Sequence, residues 1–383
     1  MPGPCTKRVG LLLLLSLLAV NGVAGGSRRM LKGNGKDKVG KNDRPIIGIL
    51  SQPGDPAPDG MSYIAASYVK WIESAGARVV PIFYDMTEEE VRRIFSIING
   101  VLLPGGGASL RPGHKFYDTA RLLVELAVAA NEAGDYFPVQ GTCLGMETLA
   151  IIISRNYTIL SDYDAEDAPA PLLYTEEAHT SRFLKALPDD VRVALQQTAI
   201  AMENHQKGLA MSAYKENPAL EDFFKVLSLS IDKSGNPYVS TLEARNYPIV
   251  ATQWHPEKNP FEWSPALHIP HTPEAVRMSQ EVANYFVYEA RNNMHKADSP
   301  LEEDEVLIYN WAPHFTGRHA QEGGEERDFQ QCYFFQQASH SGDDRPDAKG
   351  SKGSRRWRSA FPDMSQLARG KARTKTTTAT ADA

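Results

Sequence analysis

The chain predicts an α/β fold: an open, mostly parallel sheet with helices on both faces. Two observations predict it. From Pro45 onward, short β-branched runs alternate with longer stretches whose apolar residues recur at helical spacing, the pattern of successive βαβ units. Two of those short runs also end abruptly in glycine-rich turns, Pro104 to Gly107 and Gly141 to Gly145, as strands do where they reach a loop at their carboxyl end.

The elements follow in order. Ile46 to Leu50 reads as a buried strand, since it is apolar without alternation. Ile64, Tyr68, Trp71, Ile72 and Ala75 repeat at helical spacing and predict a helix over Ser62 to Ala75, stopped by Gly76. Val79 to Phe83 is the next strand, a helix runs from Glu88 to Ile98, and Gly100 to Leu103 is the third strand. A helix around Thr119 to Ala133 leads to a fourth strand at Phe137 to Gln140, and another helix begins near Met146. Beyond Ile153 the periodicity weakens through a polar stretch to about Asp190. Shorter strand-like runs return at Val226 to Leu229 and Val239 to Leu242, followed by a strand at Ile249 to Gln253. Ala275, Met278, Val282, Phe286 and Ala290 form the stripe of a closing amphipathic helix. No internal repeat and no clean linker divides this region, so one domain spans residues 44–335.

The ends are different in kind. Lys7-Arg8, the apolar run Val9 to Val20 and the small residues through Gly25 read as a signal peptide over residues 1–25, with a core too short to span a bilayer comfortably. Residues 26–43 form a short flexible segment. From Ser341 onward there are ten Lys or Arg against five Asp, a net of +5, so with −6 overall the rest of the chain carries −11. Residues 336–383, poor in large apolar side chains, read as a basic disordered tail. The acidic body argues against nucleic acid as a partner, and 42% apolar with 23% charged residues excludes a wholly disordered or multi-span membrane protein.

Removing the leader removes Cys5 and leaves Cys143 and Cys332, too few for a disulfide framework and consistent with a thiol kept for chemistry. Asn156-Tyr157-Thr158 is a glycosylation sequon, relevant if the chain enters the secretory route. The expected localisation is extracellular or vacuolar/lysosomal, with no membrane span after signal removal.

Chemistry concentrates in two distant stretches. Gly141-Thr142-Cys143-Leu144-Gly145 has the form of a nucleophile elbow, in which a strand turns sharply into a helix and presents the nucleophile above the sheet. The start of that helix is expected to help hold Cys143 as thiolate. Backbone N–H groups of Leu144 and of Gly105 and Gly106 are the candidate oxyanion donors. In Gln253-Trp254-His255-Pro256-Glu257, 112 positions after Cys143, His255 follows a strand and Glu257 shares its side-chain direction, which suits a carboxylate holding an imidazole. A buried structural cysteine and surface polar groups are the bland alternatives for each motif alone.

This pairing resembles the class I glutamine amidotransferase superfamily, whose triad is Cys, His and Glu. Within it, Pro45 to Leu50, Tyr63 to Lys70, Leu103 to Gly106, Gly141 to Glu147 and His255 to Lys258 resemble the γ-glutamyl hydrolase family, as does Phe329 to Tyr333. The resemblance implies a class I glutamine amidotransferase-like, flavodoxin-like sheet and a cysteine hydrolase of folyl-polyglutamates with no metal or organic cofactor. Cys143, His255 and Glu257 are its implied catalytic residues, and Tyr68, Glu147, His205 and Lys258 its implied substrate contacts. Read from the sequence alone, Tyr68 could be a core residue, Lys258 a solvated cation and His205 a structural or exposed histidine; Glu147 could be a first-turn carboxylate, but its place one helical turn after Cys143 favours function. Homodimers are common in the family, which makes one the expected assembly. Hydrolysis of other γ-glutamyl amides, a catalytically silent folate-binding protein and an ammonia-donating subunit are the competing readings. Glu203 and Gly208 depart from the family pattern, as do the loop within residues 44–60, the charged stretch 317–328 and the basic tail.

Overall fold

The computed structural model describes residues 41–317 and 328–336. The leader, residues 26–40 of the flexible segment, most of the charged stretch and all of the basic tail beyond Gln336 lie outside the described residues.

Strand β1 (Ile46–Leu50) pairs in parallel with β2 (Arg78–Ile82) and with β3 (Gly100–Leu103). β3 pairs in parallel with β4 (Val139–Thr142). Two strands of the polar stretch and beyond, β5 (Leu160–Ala170) and β6 (Ala201–Leu209), form a separate antiparallel pair with register shifts. β7 (Phe224–Ile231) and β8 (Pro237–Ala244) then lead to β9 (Ile249–Thr252), which lies parallel to β4 and antiparallel to β8. The eight-stranded sheet thus runs β2-β1-β3-β4-β9-β8-β7, ending in the short strand Leu173–Tyr174. Counted among the five parallel strands alone the order is 2-1-3-4-5, the flavodoxin-like arrangement, with an antiparallel extension on one side.

Helices cover both faces. α1 (Ala66–Ser74) follows the first crossover, and α2 (Glu88–Phe95) starts at a capping box in which the Thr87 hydroxyl accepts from Glu90 N and the Glu90 carboxylate accepts from Thr87 N at 2.8 Å. α3 (Lys115–Glu132) and α4 (Leu144–Ser154) precede and follow β4, and α5 (Pro273–Ala290) closes the domain on the predicted stripe. Ile46 and Leu50 of β1 join one apolar cluster with α2, α3 and α4, whereas Ile47 and Ile49 join a second with α1 and α5. Every β1 side chain is buried because both faces are covered, which is why the strand is apolar throughout. Among the described residues no helix is long and apolar enough to cross a membrane.

Two local readings differ from the structure. Met61–Ala65 is a strand, not the first turn of a helix. It pairs antiparallel with Gln331–Gln336 and Gln52–Pro53, and the first of these partners lies some 270 positions away, beyond the reach of local periodicity. The weakly periodic stretch hides β5, whose partner β6 comes after two short helices and whose bulges break the alternation that marks a strand.

Candidate active site

β3 ends in Pro104-Gly105-Gly106, β4 in Cys143, and β9 in the turn carrying His255, and all three carboxyl ends open on one cleft of about 1250 Å³. Parallel pairing of β3 with β4 and of β4 with β9 puts them side by side.

Cys143 sits at the elbow with φ 52° and ψ −109°, a conformation costly for a residue with a side chain. Tight packing imposes it. A Cβ on Gly145 would lie 2.0 Å from the Leu103 carbonyl oxygen, and one on Gly141 would lie 2.9 Å from Gly145 backbone, so only glycines let strand and helix approach this closely. The Cys143 N–H donates to Thr252 O at 2.7 Å, tying the elbow to β9.

His255 Nδ1 lies 2.7 Å from Glu257 Oε1, and Glu257 is fully enclosed. Since a carboxylate only accepts, Nδ1 carries the proton and Nε2 presents a lone pair. Nε2 is buried without a hydrogen-bond partner. His255 Cε1, Cys143 Cβ and the Tyr68 hydroxyl all lie within 3.3 Å of the point where a Cβ on Gly105 would stand, so this glycine leaves the room in which the Cys143 and His255 side chains meet.

Several expected contacts take a different form. The Gly105 N–H donates to the Tyr68 hydroxyl at 2.8 Å, so in the free site it is spent, and Gly106 and Leu144 remain as candidate oxyanion donors. Tyr68 lines the cleft, and its oxygen also lies 3.4 Å from His255 Nδ1; it links the glycine loop to the His–Glu pair. Gln52 packs over Gly106, whose φ of 154° is reserved for glycine, and its amide donates to Pro104 O at 3.4 Å. The expected thiolate is not what this environment favours. Burial pushes the Cys143 thiol well up and the Glu147 and Glu257 carboxylates act the same way, against the Leu144 N–H and the Lys258 ammonium. The thiol points to Asn204 O at 4.0 Å.

Glu147 is buried one helical turn after Cys143 and lines the cleft; Gln253 donates to its Oε1 at 3.0 Å. Burial raises its carboxyl to about 7, against that hydrogen bond and the positive charges of His205 and Lys207. Lys258 is not solvated but buried on the cleft wall, its ammonium 5.0 Å from the centre of the Phe329 ring. His205 lies on β6, buried at the cleft, with both ring nitrogens directed to protein acceptors. Asn156 is exposed just past α4, its side-chain oxygen accepting from Thr158 N at 3.0 Å and Thr158 Oγ1 at 2.9 Å. Cys143 and Cys332 are both buried, and neither is in a disulfide among the described residues.

The sequence reading missed Gln253, Gln52, Asn204 and Glu203. Gln253 was within reach, since it stands beside His255 in the same motif. The others are brought in by strands whose pairing is non-local.

Residues 45–257 match the peptidase C26 family. The chain is 40% identical over 326 residues to the γ-glutamyl hydrolase of Rattus norvegicus, covering 84% of this chain and 96% of that protein. It is 37% identical to γ-glutamyl hydrolase B of Dictyostelium discoideum (78% and 85% covered) and 39% identical to the γ-glutamyl hydrolase of Homo sapiens (76% and 90% covered).

Proposed function

Since this chain belongs to the peptidase C26 family and is a hydrolase of γ-glutamyl bonds, we propose that its substrates are folyl-poly-γ-glutamates, cleaved through a γ-glutamyl thioester on Cys143. The observation that carries the mechanism is the buried His255 Nε2, left without a partner above the elbow while Glu257 fixes the proton on Nδ1.

The resting nucleophile is a neutral thiol, because burial and two carboxylates oppose the charge. Turning the thiol from Asn204 O toward His255 hands its proton to Nε2 as the sulfur attacks the γ-carbonyl carbon. Glu257 stabilises the imidazolium so formed, and the N–H groups of Leu144 and Gly106 receive the oxyanion. The imidazolium protonates the leaving nitrogen, and shortened folate or pteroyl-glutamate remains as thioester while glutamate or a glutamyl peptide departs. His255 then takes a proton from water, whose oxygen attacks the thioester and restores the thiol. The cleft is large enough for an extended ligand, with Tyr63 and Phe329 offering aromatic surface and Arg111, Lys207 and Lys258 offering positive charge for a polycarboxylate.

The apolar leader and the exposed Asn156 sequon support a secretory route to the extracellular space or to a vacuolar or lysosomal compartment, and the resemblance to the family makes a homodimer the expected assembly. Incubating the mature chain with pteroyl-pentaglutamate beside Cys143→Ala tests the reading. Loss of glutamates by the unaltered chain alone, with a labelled thioester trapped by rapid acid quench, supports it. Full turnover by Cys143→Ala, or cleavage confined to non-folate γ-glutamyl amides, overturns it.

A further inference from the structure

Glu203 is fully buried on β6, two residues before His205, and its carboxylate gathers donors. Oε1 accepts from Ser240 Oγ at 2.9 Å, Oε2 faces His205 Nε2 at 3.2 Å, and the Tyr238 hydroxyl also reaches it. The other ring nitrogen, His205 Nδ1, lies 2.7 Å from the Lys207 carbonyl oxygen. A backbone carbonyl has no proton to give, and a carboxylate already served by hydroxyl donors is an acceptor as well. With Glu203 as the acceptor on one side and the Lys207 carbonyl on the other, both nitrogens of His205 would donate and the ring would be an imidazolium. Burial by itself pulls the imidazole down, but the Glu203 hydrogen bond and charge, with Glu147 and the Lys207 carbonyl, outweigh it and raise its pKa.

The two members of the pair do not face the same way. His205 lines the cleft and Glu203 does not, so the pair is a fixed dipole with its positive end at the cleft wall. Around the ring stand Glu147 from α4, the edge-on Tyr238 ring of β8 at 4.8 Å, and Lys207 of β6, whose ammonium pairs with Asp162. Of these, only Glu147 is a second carboxylate. His205 and Lys207 are the positive groups that act on Glu147, so the imidazolium is one of the charges that offset it for a substrate carboxylate entering beside Cys143.

We propose that Glu203 is a specificity-determining positioning residue: it holds His205 as an imidazolium with both N–H groups turned into the protein, placing a fixed positive charge beside Glu147 that selects substrates bearing a carboxylate next to the scissile γ-carbonyl. His205 acts through its charge, because no N–H is left to bond the ligand. The inference rests on the preceding reading in one respect, that the acyl residue is a glutamyl unit with a free α-carboxylate.

The test uses the full chain, Glu203→Gln and Glu203→Asp, with pteroyl-diglutamate and its counterpart whose internal α-carboxylate is a carboxamide. Glu203→Gln raises KM for the carboxylate substrate about tenfold, the size of one nearby charge, leaves kcat within about twofold, and leaves the carboxamide substrate unaffected; Glu203→Asp recovers part of the loss. Equal effects on both substrates overturn the proposal. Nitrogen-15 spectra of histidine-labelled protein read the ring directly. In the unaltered chain His205 shows two protonated nitrogens at pH 7, and in Glu203→Gln it shows one. A singly protonated His205 in the unaltered chain overturns the proposal without any variant, and so serves if Glu203→Gln does not fold. If the chain cleaves only non-folate γ-glutamyl amides, the folate reading fails while the paired comparison, run on those amides with and without the α-carboxylate, still decides the role of Glu203.

Discussion

Replacing Glu257 by Gln probes how much of the chemistry rests on the tautomer of His255. The carboxylate lies 2.7 Å from Nδ1, is 1% exposed, and its Oε2 has no hydrogen-bond partner. An amide in its place has two settings. With its NH2 toward His255, Nδ1 becomes the acceptor and the proton moves to Nε2, where it blocks the base. With its oxygen toward His255 the correct tautomer returns, but the NH2 then occupies the buried Oε2 position, which has no hydrogen-bond partner. Leaving such a donor unsatisfied costs about 1–3 kcal/mol, so the wrong tautomer is favoured by that amount. The anion that stabilises the imidazolium in the transition state is lost as well. Together these give roughly 4 kcal/mol, or about a 10³-fold fall in kcat, somewhat less than the ~10⁴ known for the corresponding change in a serine protease triad. Initial rates of glutamate release measure it, with KM expected to stay within about twofold and the thermal midpoint showing that the fold survives. Nitrogen-15 spectra should show the proton moved from Nδ1 to Nε2. A loss below about tenfold with the tautomer unchanged would refute the argument.

Two further outcomes are expected. The Glu147 carboxyl is raised to about 7 from an ordinary value of 4.5, so the folded state holds a proton there that the unfolded chain releases. Its contribution to stability is complete below about pH 4.5 and is lost as pH rises through 7, a swing on the order of 3 kcal/mol; denaturant titrations at pH 4.5 and 7.5 should show this swing diminished in Glu147→Gln, and an identical pH dependence in both proteins would contradict it. Gly145→Ala sets a methyl 2.0 Å from the Leu103 carbonyl oxygen, which is backbone and cannot swing aside, so the elbow must open at a cost of about 3 kcal/mol or more. A thermal midpoint within a degree of the unaltered chain would show that β3 and α4 are not packed as described.

Much of the frame was legible in the residues themselves. Apolar runs mark β1, β3 and β9 because strands buried on both faces are continuous in hydrophobicity, and the stripe from Ala275 to Ala290 marks α5 because a helix with one covered face repeats at its own period. The cluster of Cys143, His255 and Glu257 was legible because elbow and His-x-Glu motifs are local: the glycines around Cys143 and the two-residue spacing of His255 and Glu257 are set by backbone geometry over a few positions. The strand Met61–Ala65 and the pair β5–β6 were not, since strand pairing with segments far along the chain leaves no periodic trace. The charge states within the site also belong to the tertiary structure. No local pattern shows that Lys258 is buried against Phe329, that Tyr68 occupies the Gly105 N–H, or that burial and the carboxylates of Glu147 and Glu257 push the Cys143 thiol up. A sequence names groups and short spacings, whereas desolvation and the orientation of hydrogen-bond partners depend on which distant elements close around them. Glu203 states the difference most plainly: by sequence it is one more carboxylate on a polar run, and only the packing of β6 against β8, which sets Ser240 and Tyr238 against it, turns it into the anion that keeps His205 charged.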